Sequence, residues 1–313
     1  MSTRQNNVII SEPNEDILTI ACVNFRTDWG NKAKNFKRIK GFIRAAAKRG
    51  ADIILFPEAA LTGFDVEPEG KMHRMNAETI PGPSTVEIAK LTREYNIYVI
   101  LGMPEKDKIN PCILYNSAAI IGPTGVIGSY AKMHPPFDEN RVYKKGEKPM
   151  LFDTVWGLIG VGICYDAYMF PELPRYYAAR GARLFLHPTA FPKEGCWKDW
   201  YLNQIRARCL ENMMFIATAN LVGKEIINTY PGYSFIIGPG QEDHLYKIHA
   251  GPADEDSEEI IIATIDLAEA DKVRNRWPLF TVGNIPDTPQ WRPKQYMKML
   301  KIIEEKTNFF KYE

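Results

Sequence analysis

The feature that most constrains this chain is a unit that occurs twice: an amphipathic stretch, a glycine, then a short apolar run closed by proline. It reads Gly50-Ala51-Asp52-Ile53-Ile54-Leu55-Phe56-Pro57-Glu58, and again, type for type, Gly181-Ala182-Arg183-Leu184-Phe185-Leu186-His187-Pro188-Thr189. A short apolar run reads as a buried strand, and proline cannot continue its hydrogen-bond ladder. Helix–glycine–strand–proline is ordinary α/β grammar, so the echo has a plain reading. The sharper reading is two pseudo-equivalent halves whose strand ends, Glu58 and Thr189, face one cleft, because ligands of α/β sheets gather at the carboxyl ends of strands.

The rest of the chain fits a layered α/β fold. Ile17 to Phe25 reads as a buried strand, and Asn31 to Arg49 as an amphipathic helix with Gly50 beyond its end. A helix over Ser84 to Tyr95, with Ser84 capping and Glu87 three residues on, precedes a strand over Tyr98 to Gly102. Leu114 to Ile121 and Val126 to Ala131 form a hairpin about Gly122-Pro123-Thr124-Gly125. A strand over Leu158 to Cys164, a helix from Pro171 to Arg180, a strand over Leu184 to Leu186 and a long helix through Asp199 to Glu211 follow. Strands near 215–218, 234–237 and 260–265 complete the pattern. Hairpins mixed with helix–strand units predict a sheet sandwich flanked by helices. No flexible linker divides the chain, so one domain is expected over residues 1–285. An extension follows over 286–313, where Tyr296, Met299, Leu300 and Ile303 make an apolar stripe suited to docking or oligomer contact.

Charge narrows the function classes. The 313 residues carry 39 Lys+Arg against 38 Asp+Glu, a net +1, which argues against a nucleic-acid binder. No run of about 18 apolar residues suggests a membrane span. The first residues lack a basic-then-apolar leader, so a cytoplasmic protein without membrane partners is expected. Neither a phosphate-binding loop nor metal-ligand spacing is present, and no cofactor or metal is expected.

Five cysteines are too few for a disulfide scaffold. Cys22 falls within a strand and Cys209 within a helix, the positions of small core residues. Cys112 and Cys196 lie in loops with no base nearby in sequence. Cys164 differs, because it closes a glycine-punctuated strand just before a turn and a helix. That placement exposes a side chain at a sheet rim and aims backbone N–H groups at a developing oxyanion. A thiol nucleophile needs a base. Glu58 sits at a strand end where a charge is unexpected, Lys132 closes the second hairpin strand, and Glu139 follows seven residues on. Taken singly, these residues have ordinary readings as a rim ion pair, a solvated lysine and a loop carboxylate.

Together, the segments LFPEAALTGF (55–64), YAKMHPPFDENRVYKKGE (130–147) and GVGICYDAYMFPEL (160–173) resemble the three signatures of the nitrilase superfamily, the carbon–nitrogen hydrolases. They come in that family's order and at comparable spacing, and the likeness extends from Ile17 to about Asp266. The resemblance implies a four-layer αββα sandwich and a triad of Glu58, Lys132 and Cys164. It also implies that Glu139 holds Lys132 and the substrate amide, and that the Tyr165 backbone N–H serves the oxyanion. Glu172 and Glu211 match family glutamates too and are expected to pair with arginines such as Arg206 or Arg208. The implied reaction is hydrolysis of a non-peptide C–N bond in a small amide through a cysteine thioester, by a homodimer or higher homo-oligomer.

Cys164-Tyr165-Asp166 resembles the amidase branches rather than nitrile hydrolysers, which usually carry Cys-Trp-Glu. Carbamoyl-amino-acid hydrolases place arginines just beyond, where this chain has Ala167-Tyr168-Met169. The stretch from Cys164 to Glu172 is one residue longer than the common pattern. Phe64, Tyr168, Met169, Phe191 and Trp197 surround the motifs as candidate pocket residues, or as core or oligomer contacts. N-carbamoyl hydrolysis, acyl transfer by the same triad and a non-catalytic scaffold stand as alternatives.

Overall fold

Along β1 (Ile17–Asn24), Leu18, Ile20 and Cys22 enter one hydrophobic core while Ala21 and Val23 enter another. A strand that is apolar on both faces needs cover on both, and the computed structural model supplies it. The structure describes residues 16–194, 197–240, 245–276 and 292–306.

One six-stranded sheet contains β1, β2 (Ile53–Leu55), β3 (Tyr98–Lys106), β4 (Leu114–Gly122), β5 (Gly125–Ala131) and β14 (Glu259–Asp266), in the order β14-β1-β2-β3-β4-β5. The other contains β6 (Met150–Thr154), β7 (Gly157–Val161), β8 (Leu184–Thr189), β9 (Phe215–Asn220), β12 (Phe235–Pro239) and β13 (Tyr246–Ala250), in the order β13-β12-β9-β8-β7-β6. A small ribbon of β10 (Val222–Lys224) and β11 (Thr229–Pro231) stands apart. The sheets face each other through a shared core to which Ile20, Ile53 and Ile100 contribute from one side and Ile159, Leu184 and Ala217 from the other.

Helices α1 (Lys32–Lys48) and α3 (Pro83–Tyr95) bury Ile39, Ile43, Ile88 and Leu91 on the outside of the first sheet. Helices α5 (Glu172–Ala179) and α6 (Trp197–Asn212) bury Tyr177, Tyr201 and Ile205 on the second. The four-layer αββα sandwich is therefore the fold. Short helices α2 (Lys71–Asn76) and α4 (Tyr165–Tyr168) and the helix α7 (Ala268–Arg276) complete the body. Helix α8 (Pro293–Lys306) carries the stripe noted above. Its Tyr296, Met299 and Leu300 are exposed, and the Ile303 side chain lies outside the described residues, as does Cys196.

The two echoed units fall on equivalent strands. In one sheet β2 runs parallel between β1 and β3, and in the other β8 runs parallel between β7 and β9. Two local expectations need correction. Helix α3 starts at Pro83 with Gly82 as its cap, and Gly82 N–H donates to Thr85 Oγ1 at 2.9 Å. Ser84 instead gives its N–H and hydroxyl to the buried Glu78 carboxylate, 2.7 and 2.8 Å away, a charge-assisted pairing that outcompetes capping. The strand expected to reach Cys164 ends at Val161; Gly162 and Cys164 still give their N–H groups to Leu186 and Pro188 of β8, but Cys164 turns the chain away with a positive φ of 48°. Among the described residues, no helix is long and apolar enough to cross a membrane.

Candidate active site

Pro57 ends β2 and delivers Glu58 into the space between the sheets, where it is fully buried. Ala59 beside it holds a φ of 51°. The turn is possible because β3 passes with a glycine. A Cβ on Gly102 would lie 2.2 Å from the Pro57 carbonyl oxygen and 2.7 Å from Glu58 Cα. Lys132 follows β5 and has the same support, since a Cβ on Gly146 would meet the Ala131 carbonyl oxygen at 2.1 Å. Gly146 N–H in turn donates to the Lys132 carbonyl at 2.8 Å.

The Lys132 ammonium donates to Glu58 Oε1 at 2.7 Å and to Glu139 Oε1 at 2.6 Å, and all three side chains are almost completely buried. Glu139 comes from a 3₁₀ turn, Phe137–Arg141. Burial works against the Lys132 charge, but Glu139 and Glu58, with Cys164 behind them, outweigh it and hold the amine well above its usual range. Burial together with the Glu58 charge pushes the Glu139 carboxyl up to about 7, although Lys132 pulls it down.

Asn116 on β4 joins this cluster and went unrecognised in the sequence. Its amide donates to Glu58 Oε1 at 2.7 Å and to Glu139 Oε2 at 2.9 Å, while its Oδ1 is buried with no hydrogen-bond partner. The available signal was an asparagine inside the otherwise apolar run Leu114 to Ile121.

Cys164 lies between β7 and α4 in the strained conformation already noted, with its N–H on the Pro188 carbonyl at 2.9 Å. Burial pushes its thiol up and the Glu58 charge adds to this, while Lys132, the Thr189 hydroxyl and the Ala190 N–H pull the other way. At rest the sulfur therefore carries its proton and needs a base to lose it. The Tyr168 hydroxyl reaches Thr189 Oγ1 at 2.9 Å. His187 is no partner for the thiol. Its Nε2 lies 3.1 Å from the Cys164 carbonyl oxygen and must carry the hydrogen, and burial lowers the ring to about 4, so it stays neutral.

Asp166 ties the Cys164 turn to the Lys132 strand. Its carboxylate accepts from Tyr130 Oη at 2.7 Å, from His134 N at 2.9 Å and from His134 Nδ1 at 2.8 Å. The His134 ring stacks on Phe170 with centroids 3.6 Å apart.

The candidate pocket residues divide. Phe64 is brought near the lysine, with Lys132 Nζ 5.6 Å from its ring centroid. Phe191 packs on Tyr168 at 5.1 Å, and its N–H is fixed by Asn220 Oδ1 at 2.9 Å. Tyr168 is 1% exposed and lies beneath the nucleophile, with its hydroxyl committed to Thr189. Met169 is 45% exposed, and Trp197 sits in the core against Tyr233. Of the two further glutamates, Glu211 pairs with Arg208 at 3.2 Å and with Arg175 at 3.8 Å. Arg206 goes instead to Tyr246 and Asn203. Glu172 lies exposed in the first turn of α5. Cys22 and Cys209 are buried and Cys112 is exposed.

A buried thiol, a carboxylate whose charge bears on it, an ammonium fixed by two carboxylates and an N–H at the start of α4 form a set suited to acyl transfer. Comparison with known proteins agrees with this architecture. The family model described as "Carbon-nitrogen hydrolase" matches residues 19–275. The chain is 34% identical over 262 residues to the omega-amidase NIT2 of Bos taurus, covering 80% of this chain and 89% of that one. It is 31% identical to a nitrilase of Pyrococcus abyssi, covering 75% and 84%. Among solved structures, Nit3 of Saccharomyces cerevisiae, a member of branch 10 of the nitrilase superfamily, superposes with a TM-score of 0.75 at 26% identity. That match covers 88% of this chain and 96% of Nit3. An amidase from Nesterenkonia sp. AN1 has the same fold, with a TM-score of 0.71 at 22% identity over 85% and 98% of the two chains. With a family match across most of its length and relatives above 30% identity, the chain belongs to the carbon–nitrogen hydrolases of the nitrilase superfamily.

Proposed function

We propose that the chain hydrolyses the C–N bond of a small amide through a thioester on Cys164, releasing ammonia or an amine and a carboxylate. The observation that carries this reading is the buried Lys132 ammonium held by both Glu58 and Glu139 beside the Cys164 thiol. The omega-amidase relatives support the choice of an amide.

Glu58 takes the thiol proton as the sulfur attacks the amide carbon. Negative charge then grows on the carbonyl oxygen, where the Lys132 ammonium and the Tyr165 N–H stabilise it most at the transition state. Glu58 returns its proton to the departing nitrogen as the C–N bond breaks, leaving the acyl group on sulfur. Water gives a proton to Glu58 and attacks the thioester. The second tetrahedral species collapses to the carboxylic acid as Glu58 returns its proton to the departing sulfur, which restores the thiol, and the acid ionises to carboxylate. Glu139 and Asn116 keep Lys132 and Glu58 in register throughout. The Arg208 guanidinium is engaged by the Ala167 and Tyr168 carbonyls at 2.8 and 3.1 Å, so it supports α4. This favours a plain amide over an N-carbamoyl acid as substrate. Phe64 and Phe191 border the acyl group, and the exposed face of α8 serves contact between copies in a homo-oligomer.

The test is intact-protein mass spectrometry after quenching with a panel of primary amides, alongside an ammonia assay. An acyl adduct on the native chain that is absent from Cys164→Ala, with ammonia release, is the expected result. Product formed only with an added amine acceptor would assign acyl transfer instead. The absence of both adduct and product across the panel would overturn the reading.

A further inference from the structure

Two carboxylates outside the proposed catalytic set hold the segment after Glu58 to the β10–β11 ribbon without any cation. Glu225, in the ribbon, accepts the Phe64 N–H at 3.0 Å, the Asp65 N–H at 2.8 Å and the Thr27 hydroxyl. Asp65, which is 1% exposed, accepts from the other arm of the ribbon: Ile227 N at 2.5 Å, Asn228 N at 2.9 Å, Asn228 Nδ2 at 2.6 Å and Tyr230 Oη at 2.6 Å. Neither carboxylate makes an ion pair among the described residues. Each segment thus supplies the acceptor for the other's N–H groups.

What the clamp holds is an apolar wall. Tyr230, fixed by Asp65, meets Phe64 edge-on with centroids 6.3 Å apart, and the two pack with Ala190 and Leu221. Phe64 lies over Lys132, and Ala190 donates its N–H to Glu58. A shift of the ribbon would therefore move both the wall and a donor to the proposed base. The same Asp65 reaches the Glu139 side through backbone. Its carbonyl contacts His73 Nε2 at 3.1 Å, His73 Nδ1 contacts Tyr143 Oη at 2.7 Å, and Tyr143 N–H donates to the Glu139 carbonyl at 2.8 Å.

The geometry points to Glu225 and Asp65 as positioning residues that lock the ribbon 222–231 onto the segment 59–66 and so set the wall against which the acyl part of the substrate rests. This rests on the acyl-transfer reading of the Cys164 site. Both carboxylate oxygens accept, Oε2 from the Phe64 and Asp65 N–H groups and Oε1 from the Thr27 hydroxyl. Glutamine is nearly isosteric but leaves one acceptor and forces the Thr27 hydroxyl to reverse its role, so Glu225→Gln weakens the clamp without removing volume.

The experiment compares the native chain with Glu225→Gln and Tyr230→Phe by hydrogen exchange and by steady-state kinetics on acetamide and butyramide. The expected result is that exchange in 59–66 and 222–231 rises together by about tenfold while β1 keeps its protection. KM is expected to rise more than kcat falls, and more for butyramide than for acetamide. Loosening of 222–231 alone, or equal effects on both amides, would overturn the proposal. Should Glu225→Gln not fold, Tyr230→Phe, which removes one hydroxyl, decides alone. Coupled exchange in a chain that turns over no amide would leave the clamp standing and sink the catalytic reading instead.

Discussion

Ala190 donates its backbone N–H to Glu58 Oε2 at 2.9 Å. The bond crosses from the residue after β8 in one sheet to Glu58, three residues beyond the end of β2 in the other, so the two echoed units meet at their carboxyl ends. It explains why a carboxylate can sit fully buried there: each oxygen is occupied, Oε2 by this N–H and Oε1 by Lys132 and Asn116. An unpaired carboxylate would cost several kcal/mol at such a site. The same N–H is among the groups that pull the Cys164 thiol down against its burial.

Asn116 sets the spacing of the two carboxylates, and the kinetics should show it. Asn116→Leu keeps the volume and removes both N–H donors. The expected outcome is a fall in kcat of about 10- to 100-fold, as for loss of hydrogen bonds to charged groups, with a smaller change in KM. A merely structural role would lower activity at every pH alike. Loss of the two donors should instead favour the protonated carboxyl and move the acid limb of the kcat/KM profile to higher pH.

That limb belongs to Glu139. Its carboxyl is raised to about 7 in the folded protein against an ordinary value of 4.5, chiefly by burial. Below about pH 7 it takes up a proton and loses its ionic bond to Lys132, so activity is expected to fall toward acid with a midpoint near 7. For stability the sign is opposite. The folded state holds this proton more tightly than the unfolded chain does, so the contribution is full below about 4.5 and is lost as pH rises to about 7. Glu139→Gln should be slow at all pH values and lack the limb. Its urea midpoint should gain on the native one between those two pH values and hold level above them.

The sequence revealed the architecture because both sheets are doubly covered. Runs such as 53–56 and 184–186 are apolar on both faces and leave little choice but a buried strand. Edge strands β6 and β13 escaped notice, since Asp153, Thr154, Lys247 and His249 dilute their pattern. Glu58, Lys132 and Cys164 were legible as side chains out of keeping with their surroundings. The supporting contacts were less so. Ala190 acts through backbone, which has no sequence signature. Tyr168 could line a pocket or pack in the core by sequence alone; helix α4 turns it inward, with its hydroxyl on Thr189. The Asp65–Glu225 clamp joins residues far apart in the chain, through loops whose pairing no periodicity announces.

Asp166 offers the sharpest test of how the nucleophile turn is anchored. It is buried, yet among the described residues its only basic partner is His134, and its other contacts are the Tyr130 hydroxyl and nearby backbone N–H groups. Asp166→Ala strands the buried Tyr130 hydroxyl and the His134 N–H, and each unsatisfied donor costs about 1–3 kcal/mol. The variant is therefore expected to lose roughly 3 kcal/mol or more in urea unfolding, with the slope of the transition unchanged. Asp166→Asn keeps one acceptor and should lose less. Because the carboxylate joins Ile163 and the Cys164 turn to Met133 and His134, beside Lys132, the same variants should slow thioester formation more than thioester hydrolysis. Only the first step needs the thiol and the ammonium to meet the carbonyl together. Equal slowing of both steps, read by single-turnover quench, would show that Asp166 serves stability alone.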